Sequence, residues 1–315
     1  MTGKFYFFRG LKNAGFMIKL KSSNLLGNGW VNINRIKLVL LCLMAVFLPF
    51  KLYAWNAVAH KVVANIAYQQ LTPTSRATVD SLVVHMREEY PDLDSFASLA
   101  TWPDVLKSQK ITVYGHWHYI DIAFSQDGTP LKNIIDTDNA VWIVSQLAVT
   151  VGNARANISE RARFLAFLAH IVGDLHQPLH TVSYFSATHL NGDRGGNDYF
   201  VKVNHQTVNL HQLWDGGVGA FDADTSLAAI QALTSRLIAA YPENYFGAQA
   251  SDFEPDSWAK EGLALAQQYV YSTSERAEVS AAYRYAGQKE AAQQVALAGY
   301  RLGALLNELL DPAMH

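Results

Sequence analysis

The stretch from Phe164 to His180, FLAFLAHIVGDLHQPLH, is the feature that most constrains this chain. Apolar Phe164, Phe167, Leu168, Ile171, Val172 and Leu175 recur at the period of a buried helix. His170 and Asp174 sit among them, four residues apart and therefore on one helical face. Pro178 stops the helix, and His180 projects just beyond the stop. An imidazole and a carboxylate buried on an apolar helix must be satisfied, because unpaired polar burial is costly. Either a metal ion takes both side chains, or they hydrogen-bond to one another in the core.

Residues 1–54 differ from the remainder. They hold 8 of the 25 Lys and Arg, none of the 27 Asp and Glu, and the only cysteine, Cys42. Arg35 and Lys37 precede an apolar run from Leu38 to Phe50, and Leu52-Tyr53-Ala54 resembles a small-residue cleavage site. This pattern predicts a secretory signal peptide over residues 1–54, cleaved after Ala54, and a secreted or periplasmic protein. The run is short for a membrane span and is interrupted by Lys51; an uncleaved anchor is the alternative. The stretch before Arg35 is long for a signal, and Met17 offers a later start. Residues 55–315 then carry a net charge of −10, which excludes recruitment of nucleic acid by a diffuse basic surface. Without cysteine, a zinc site there must be built from His, Asp and backbone atoms.

The remainder predicts a single all-α, multi-helix domain with a small β-hairpin. Helices are expected over 55–70, from the Thr72 cap and Pro73 to about Tyr90, over 138–151, from Ser159 through the central stretch, and over 226–241, 255–271 and 279–310. The hairpin is expected over Phe200–Val203 and Thr207-Val208, and Asn191–Asn197 reads as a loop. Gly287, Gly299 and Gly303 are small residues that allow the last helix to pack closely.

Further His and Asp lie beside aromatic residues. His60 follows Trp55 by five positions; Asp104 follows Trp102-Pro103 in an expected turn; His116 and His118 flank Trp117 before Tyr119-Ile120-Asp121. Asn209-Leu210-His211-Gln212-Leu213-Trp214-Asp215 supplies a second His and Asp four apart. Two such pairs in a cysteine-free chain point to a multinuclear site, and mixed nitrogen and oxygen donors suit zinc.

These pieces, with Gly195-Gly196-Asn197 and the run from His170 through Gly173-Asp174 to His176-Gln177-Pro178-Leu179-His180, resemble the zinc-dependent single-strand-specific nucleases, the three-zinc nuclease and 3′-nucleotidase family. They occur in the family's order from Trp55 to Asp215. The resemblance implies the fold shared by zinc phospholipases C and these nucleases, with three Zn²⁺ per chain. One ion would be held by Asp104, His118, His170 and Asp174; a second by the amino nitrogen and carbonyl oxygen of Trp55, with His60 and the bridging Asp174; a third by His180, His211 and Asp215. It further implies that Asp104 positions the attacking water, that Lys107 and Asn197 contact the scissile phosphate, and that Tyr119 stacks a nucleobase hydrogen-bonded by Asp121. The implied activity is endonucleolytic hydrolysis of single-stranded RNA and DNA to 5′-phosphate products, with 3′-nucleotidase activity. Single-stranded nucleic acid and nucleotides are the expected partners, and a monomer with no standing protein partner and no membrane contact after cleavage is expected. The absence of disulfides points to a bacterial-type member.

His116 is expected not to be a ligand, because only one of His116 and His118 can face inward on an extended segment. His176 is expected to orient a ligand, and His85, His189, His205 and His315 to be surface or loop residues. Trp102, Trp117 and Trp214 are read as packing residues. Two rivals stand beside the nuclease. A zinc phospholipase C resembles it closely, but such enzymes place Glu where this chain has Asp215. A non-enzymatic zinc-binding protein would have no use for Lys107 and Asn197.

Overall fold

Nearly every expected helix forms, and most begin on a side-chain cap. A computed structural model describes residues 55–222 and 224–314. The expectations for residues 1–54 and for His315 lie outside them. Helix α1 (Ala57–Gln70) starts behind Asn56, whose side chain accepts from the Ala59 amide. Helix α2 (Pro73–Glu89) starts behind Thr72 with proline in its first turn, where no amide is missed. A single turn, α3 (Phe96–Leu99), leads to α4 (Trp102–Ser108). Helices α5 (Ala140–Gly152) and α6 (Ile158–Asp174) are capped by Asn139 and Asn157.

Short elements follow: a 3₁₀ turn Pro178–His180, and α7 (Leu210–Asp215) behind Asn209. Then come α8 (Leu227–Ala240), the turn α9 (Glu243–Phe246), α10 (Pro255–Leu265) and the long α11 (Ala281–Leu310). The expected hairpin is present as β3 (Phe200–Val203) and β4 (Gln206–Asn209), with Val201 opposite Val208. Asn204 and His205 take its turn with positive φ.

Three local expectations are corrected. Asp104 lies not in a turn but in the first turn of α4, where a carboxylate favours the exposed helix amides. His118 ends a 3₁₀ turn (Gly115–His118) instead of an extended segment. The segment 255–271 is not one α-helix, because it loosens into a π turn at Ala266–Val270. A fourth feature was not foreseen: β1 (Ile122–Ser125) and β2 (Val182–Phe185) form a parallel two-stranded ladder, Ile122 beside Val182. Four-residue strands carry too little alternation to stand out in sequence.

The main core gathers α1, α2, α5, α6, α8, α10 and α11 around Trp55, Ile66, Leu82, Leu165, Trp258 and Tyr300. A second cluster joins the strands to α7 and the start of α11 through Val182, Val201, Trp214, Tyr271 and Tyr283. Helix α11 lies along α1. The two backbones approach so closely that a Cβ at Gly299 would stand 2.5 Å from the Ile66 Cβ, and one at Gly303 2.8 Å from that of Gln70. Among the described residues no helix is long and apolar enough to cross a membrane.

Candidate metal centre

The centre is organised by the C-terminal end of α6. Its last turns bury every side chain from Leu165 to Asp174, because α1, α2, α5 and α11 all pack against it. Asp174 has no exposed surface. Its Oδ2 lies 3.0 Å from Nδ1 of His118 and 3.2 Å from Nε2 of His170. Its Oδ1 lies 3.4 Å from Nε2 of His60 and 3.7 Å from Nδ1 of His180. One carboxylate is thus ringed by imidazoles from four separate elements.

Three groups of donors result, each with its ligand atoms within 4.8 Å of one another: His60, His170 and Asp174; Asp104, His118 and His170; and His180, His211 and Asp215. Asp104 Oδ1 lies 3.8 Å from His170 Nε2. Asp215 stands 3.8 Å from His180 Nε2 and 3.6 Å from His211 Nε2. The His60 and His170 rings stack at 3.9 Å, so His170 adjoins both buried groups.

Backbone carbonyls select the ring nitrogen that faces inward. His170 donates from Nδ1 to the Ala100 carbonyl at 2.8 Å, His180 to that of His118 at 2.7 Å, and His211 to that of Gly195 at 2.6 Å. Each leaves Nε2 turned toward the carboxylates of the centre, the arrangement that second contacts impose on metal-binding histidines. The inward atoms lack protein partners: both nitrogens of His60, Oδ1 of Asp104, Oδ1 of Asp174 and Nε2 of His180 are buried without a hydrogen bond. Each such atom costs about 1–3 kcal/mol. Five together rival the whole stability of a domain, about 5–15 kcal/mol. Cations at these positions would satisfy all of them but the N–H of His60, which faces Gly173, so the donor set fits divalent metal.

Burial opposes charge on His170, but Asp174 and Asp104 outweigh it and hold that ring up at about 9. Burial pulls His60 and His118 down, and the charge on His170 adds to this. Burial also lowers His211, helped by His180 and Lys107 against Asp215. Asp174, despite its burial, is held well below the usual carboxylate range by His170 and His180.

The other expected residues also gather here. Trp55 is fully buried, edge-on to Phe221 at 5.5 Å. The next amide, of Asn56, donates to the Asp215 carbonyl at 2.9 Å, bringing the Trp55 backbone beside the third group. Lys107 follows Asp104 by one turn of α4 and is exposed, its charge felt by His211. Asn197 is half-buried in the loop that carries Gly195 and donates to the Arg194 carbonyl at 2.8 Å. The unforeseen β1–β2 ladder positions Tyr119 and Asp121, because the Ile120 amide donates to the His180 carbonyl at 2.8 Å just before the ladder starts. Burial and the neighbouring carboxylates Asp121 and Asp136 push the Tyr119 hydroxyl up to about 12. Burial, with Asp136 and Asp193, raises Asp121 to about 6.

Two histidines resolve differently. His116 is half-exposed and faces Asp138 at 3.3 Å and Asp136 at 3.8 Å, away from the centre. His176 touches none of the candidate ligands. It donates from Nδ1 to the Val172 carbonyl and accepts at Nε2 from fully buried Arg301, which also forms a bidentate pair with Glu261. Arg301 had no sequence signal, since it sits unmarked in an amphipathic helix. Gln177, inside the central motif, carries no ligand signal of its own, yet its Nε2 donates to Asp215 Oδ1 at 2.7 Å.

A family model described as S1/P1 Nuclease matches residues 55–311. The chain is 26% identical to Nuclease S1 of Aspergillus oryzae over 286 residues, which is 81% of this chain and 91% of that protein. It is 25% identical to Endonuclease 2 of Arabidopsis thaliana over 285 residues, covering 82% and 91% of the two chains. Nuclease P1 of Penicillium citrinum aligns at 26% identity over 172 residues, 51% of this chain and 57% of that protein.

Proposed function

Since the chain belongs to the S1/P1 nuclease family, we propose that it is a zinc-dependent, single-strand-specific endonuclease producing 5′-phosphates, with 3′-nucleotidase activity. It is a hydrolase of phosphodiester bonds. The observation that carries the mechanistic reading is the set of buried, unpartnered donor atoms converging on Asp174. Asp104, His118, His170 and Asp174 would hold one zinc; the backbone of Trp55 with His60 and Asp174 a second; His180, His211 and Asp215 a third. Zinc in such a site supplies a water acidified toward neutral pH and positive charge opposite the reacting phosphate.

The chain's own groups do the rest. Asp104 accepts a hydrogen bond from the attacking water and aims it in line with phosphorus. Lys107 and the Asn197 amide donate to the non-bridging phosphoryl oxygens as their charge grows. The leaving 3′-oxygen lies toward His180, His211 and Asp215, so its nucleoside falls beside Tyr119, the neighbour of His180. There the base stacks on the phenol ring and donates to Asp121. A base must leave its helical stack to do so, which costs least in single strands. Stacking accepts any base, so sequence preference is weak.

The role of Trp55 requires removal of residues 1–54, because only then is its nitrogen an amine. The proposed protein is therefore secreted or periplasmic, acting as a monomer. The test compares protein beginning at Trp55 with protein carrying one extra residue before it, each measured for zinc content and for cleavage of single-stranded RNA and DNA. The expected result is three zinc ions and 5′-phosphate products for the first, and lost zinc and activity for the second. Equal zinc and activity in both would overturn the Trp55 role. Inert behaviour toward nucleic acid with hydrolysis of phosphatidylcholine would overturn the substrate.

A further inference from the structure

Arg194 is a cation in a chain whose residues 55–315 are strongly acidic, and it occupies an unusual position. It holds a left-handed backbone, φ +56°, where a non-glycine residue is strained, in the loop that also carries Gly195 and Asn197. The loop is fixed from below. Buried Asp193 accepts from the Tyr271 hydroxyl at 2.6 Å and from the Tyr184 amide at 2.8 Å, and the Arg194 amide donates to the Ser183 hydroxyl at 3.2 Å. The Arg194 carbonyl accepts from Asn197. The guanidinium itself is open to a ligand: the side chain is 74% exposed, and its ion pair with Asp198, at 3.7 Å, is of the weak surface kind. Ser183, which holds the Arg194 amide, pairs with Ala123 on the neighbouring strand, two residues from Asp121, so Arg194 lies on the side of the loop nearest Asp121, and its charge opposes the rise that burial imposes on Tyr119 and Asp121.

Arg194 therefore stands at the rim between the residue read as the base platform and the residue read as a phosphate contact. In a polynucleotide, the nucleoside stacked on Tyr119 carries a second phosphate on its 5′ carbon, one step upstream of the scissile one. No other residue assigned to the site addresses that phosphate. We propose that Arg194 is a substrate-binding residue that holds this upstream 5′-phosphate, giving the enzyme a preference for strands over fragments that lack it. The inference rests on the placement of the base at Tyr119 described above.

The test uses two dinucleotides differing only in a 5′-terminal phosphate, with the native enzyme, Arg194→Asn and Arg194→Lys. Asparagine tolerates the left-handed backbone, so it removes the charge without forcing the loop to rearrange. The native enzyme is expected to favour the 5′-phosphorylated dinucleotide in kcat/KM by about tenfold, mostly through KM, less at high salt. Arg194→Asn is expected to bring the ratio near one, and Arg194→Lys to keep most of it. A native ratio near one, or a ratio unchanged in Arg194→Asn, overturns the assignment. Equal losses on both dinucleotides place Arg194 on the scissile phosphate and overturn it too. If the native enzyme cleaves neither dinucleotide but does cleave longer single strands, the placement of the base at Tyr119 falls first, and the assignment with it.

Discussion

Gln177 Nε2 and Asp215 Oδ1 meet at 2.7 Å between two segments 38 residues apart, and both groups are buried. The same glutamine accepts from the Leu179 amide through Oε1, so its orientation is fixed at both ends. Gln177→Leu should leave the fold intact and weaken the site of His180, His211 and Asp215 by about 10–100-fold. Zinc titration checks this: two tight equivalents and one weakened one are expected, with activity falling in parallel.

Gly173 carries a different constraint. A Cβ there would lie 2.9 Å from His60 Nδ1, tighter than such contacts tolerate. Gly173→Ala should push the His60 ring off its stack on His170. The expected outcome is loss of one zinc equivalent and at least tenfold lower activity, with a helical circular dichroism spectrum like that of the native protein.

Arg301 ties α11 to the turn after Asp174 through His176, and its guanidinium is paired with Glu261. Removing one partner of a buried pair costs about 3–5 kcal/mol. Glu261 keeps some contact with solvent, so Arg301→Met should cost about 2–4 kcal/mol in urea unfolding. Arg301→Lys should recover little, because an ammonium cannot replace the two-pronged contact.

Asp121 bears on pH. In the folded chain its carboxyl is raised to about 6 from 3.8, so between those values the folded state keeps a proton that the unfolded state has lost. Stability therefore falls as pH rises through that window, by up to about 2–3 kcal/mol once above it. Asp121→Asn should stabilise metal-free protein more at pH 7 than at pH 4 and should raise KM for nucleotides. Equal stabilisation at both values would contradict the assignment of charge burial.

Much of the centre was legible in the sequence because helical periodicity converts spacing into direction. His170 with Asp174 and His211 with Asp215 each had to share a face, and they do. What escaped depends on distant segments meeting. The β1–β2 ladder joins residues 60 apart, Arg301 reaches His176 across 125, and neither partner shows a local pattern. Trp102-Pro103 resembles a breaker, yet proline is tolerated in a first helical turn, so Asp104 opens a helix where a turn is expected.

The close crossing of α1 and α11 bears on when the enzyme can become active. His60 is borne on a helix whose principal neighbour is α11, far along the chain, so synthesis must pass Leu310 before that ligand has a seat. Long-range closure of this kind is slow. Chains that stop short of α11 should accordingly be inert toward the RNA around them, a safeguard written into chain order without any inhibitor.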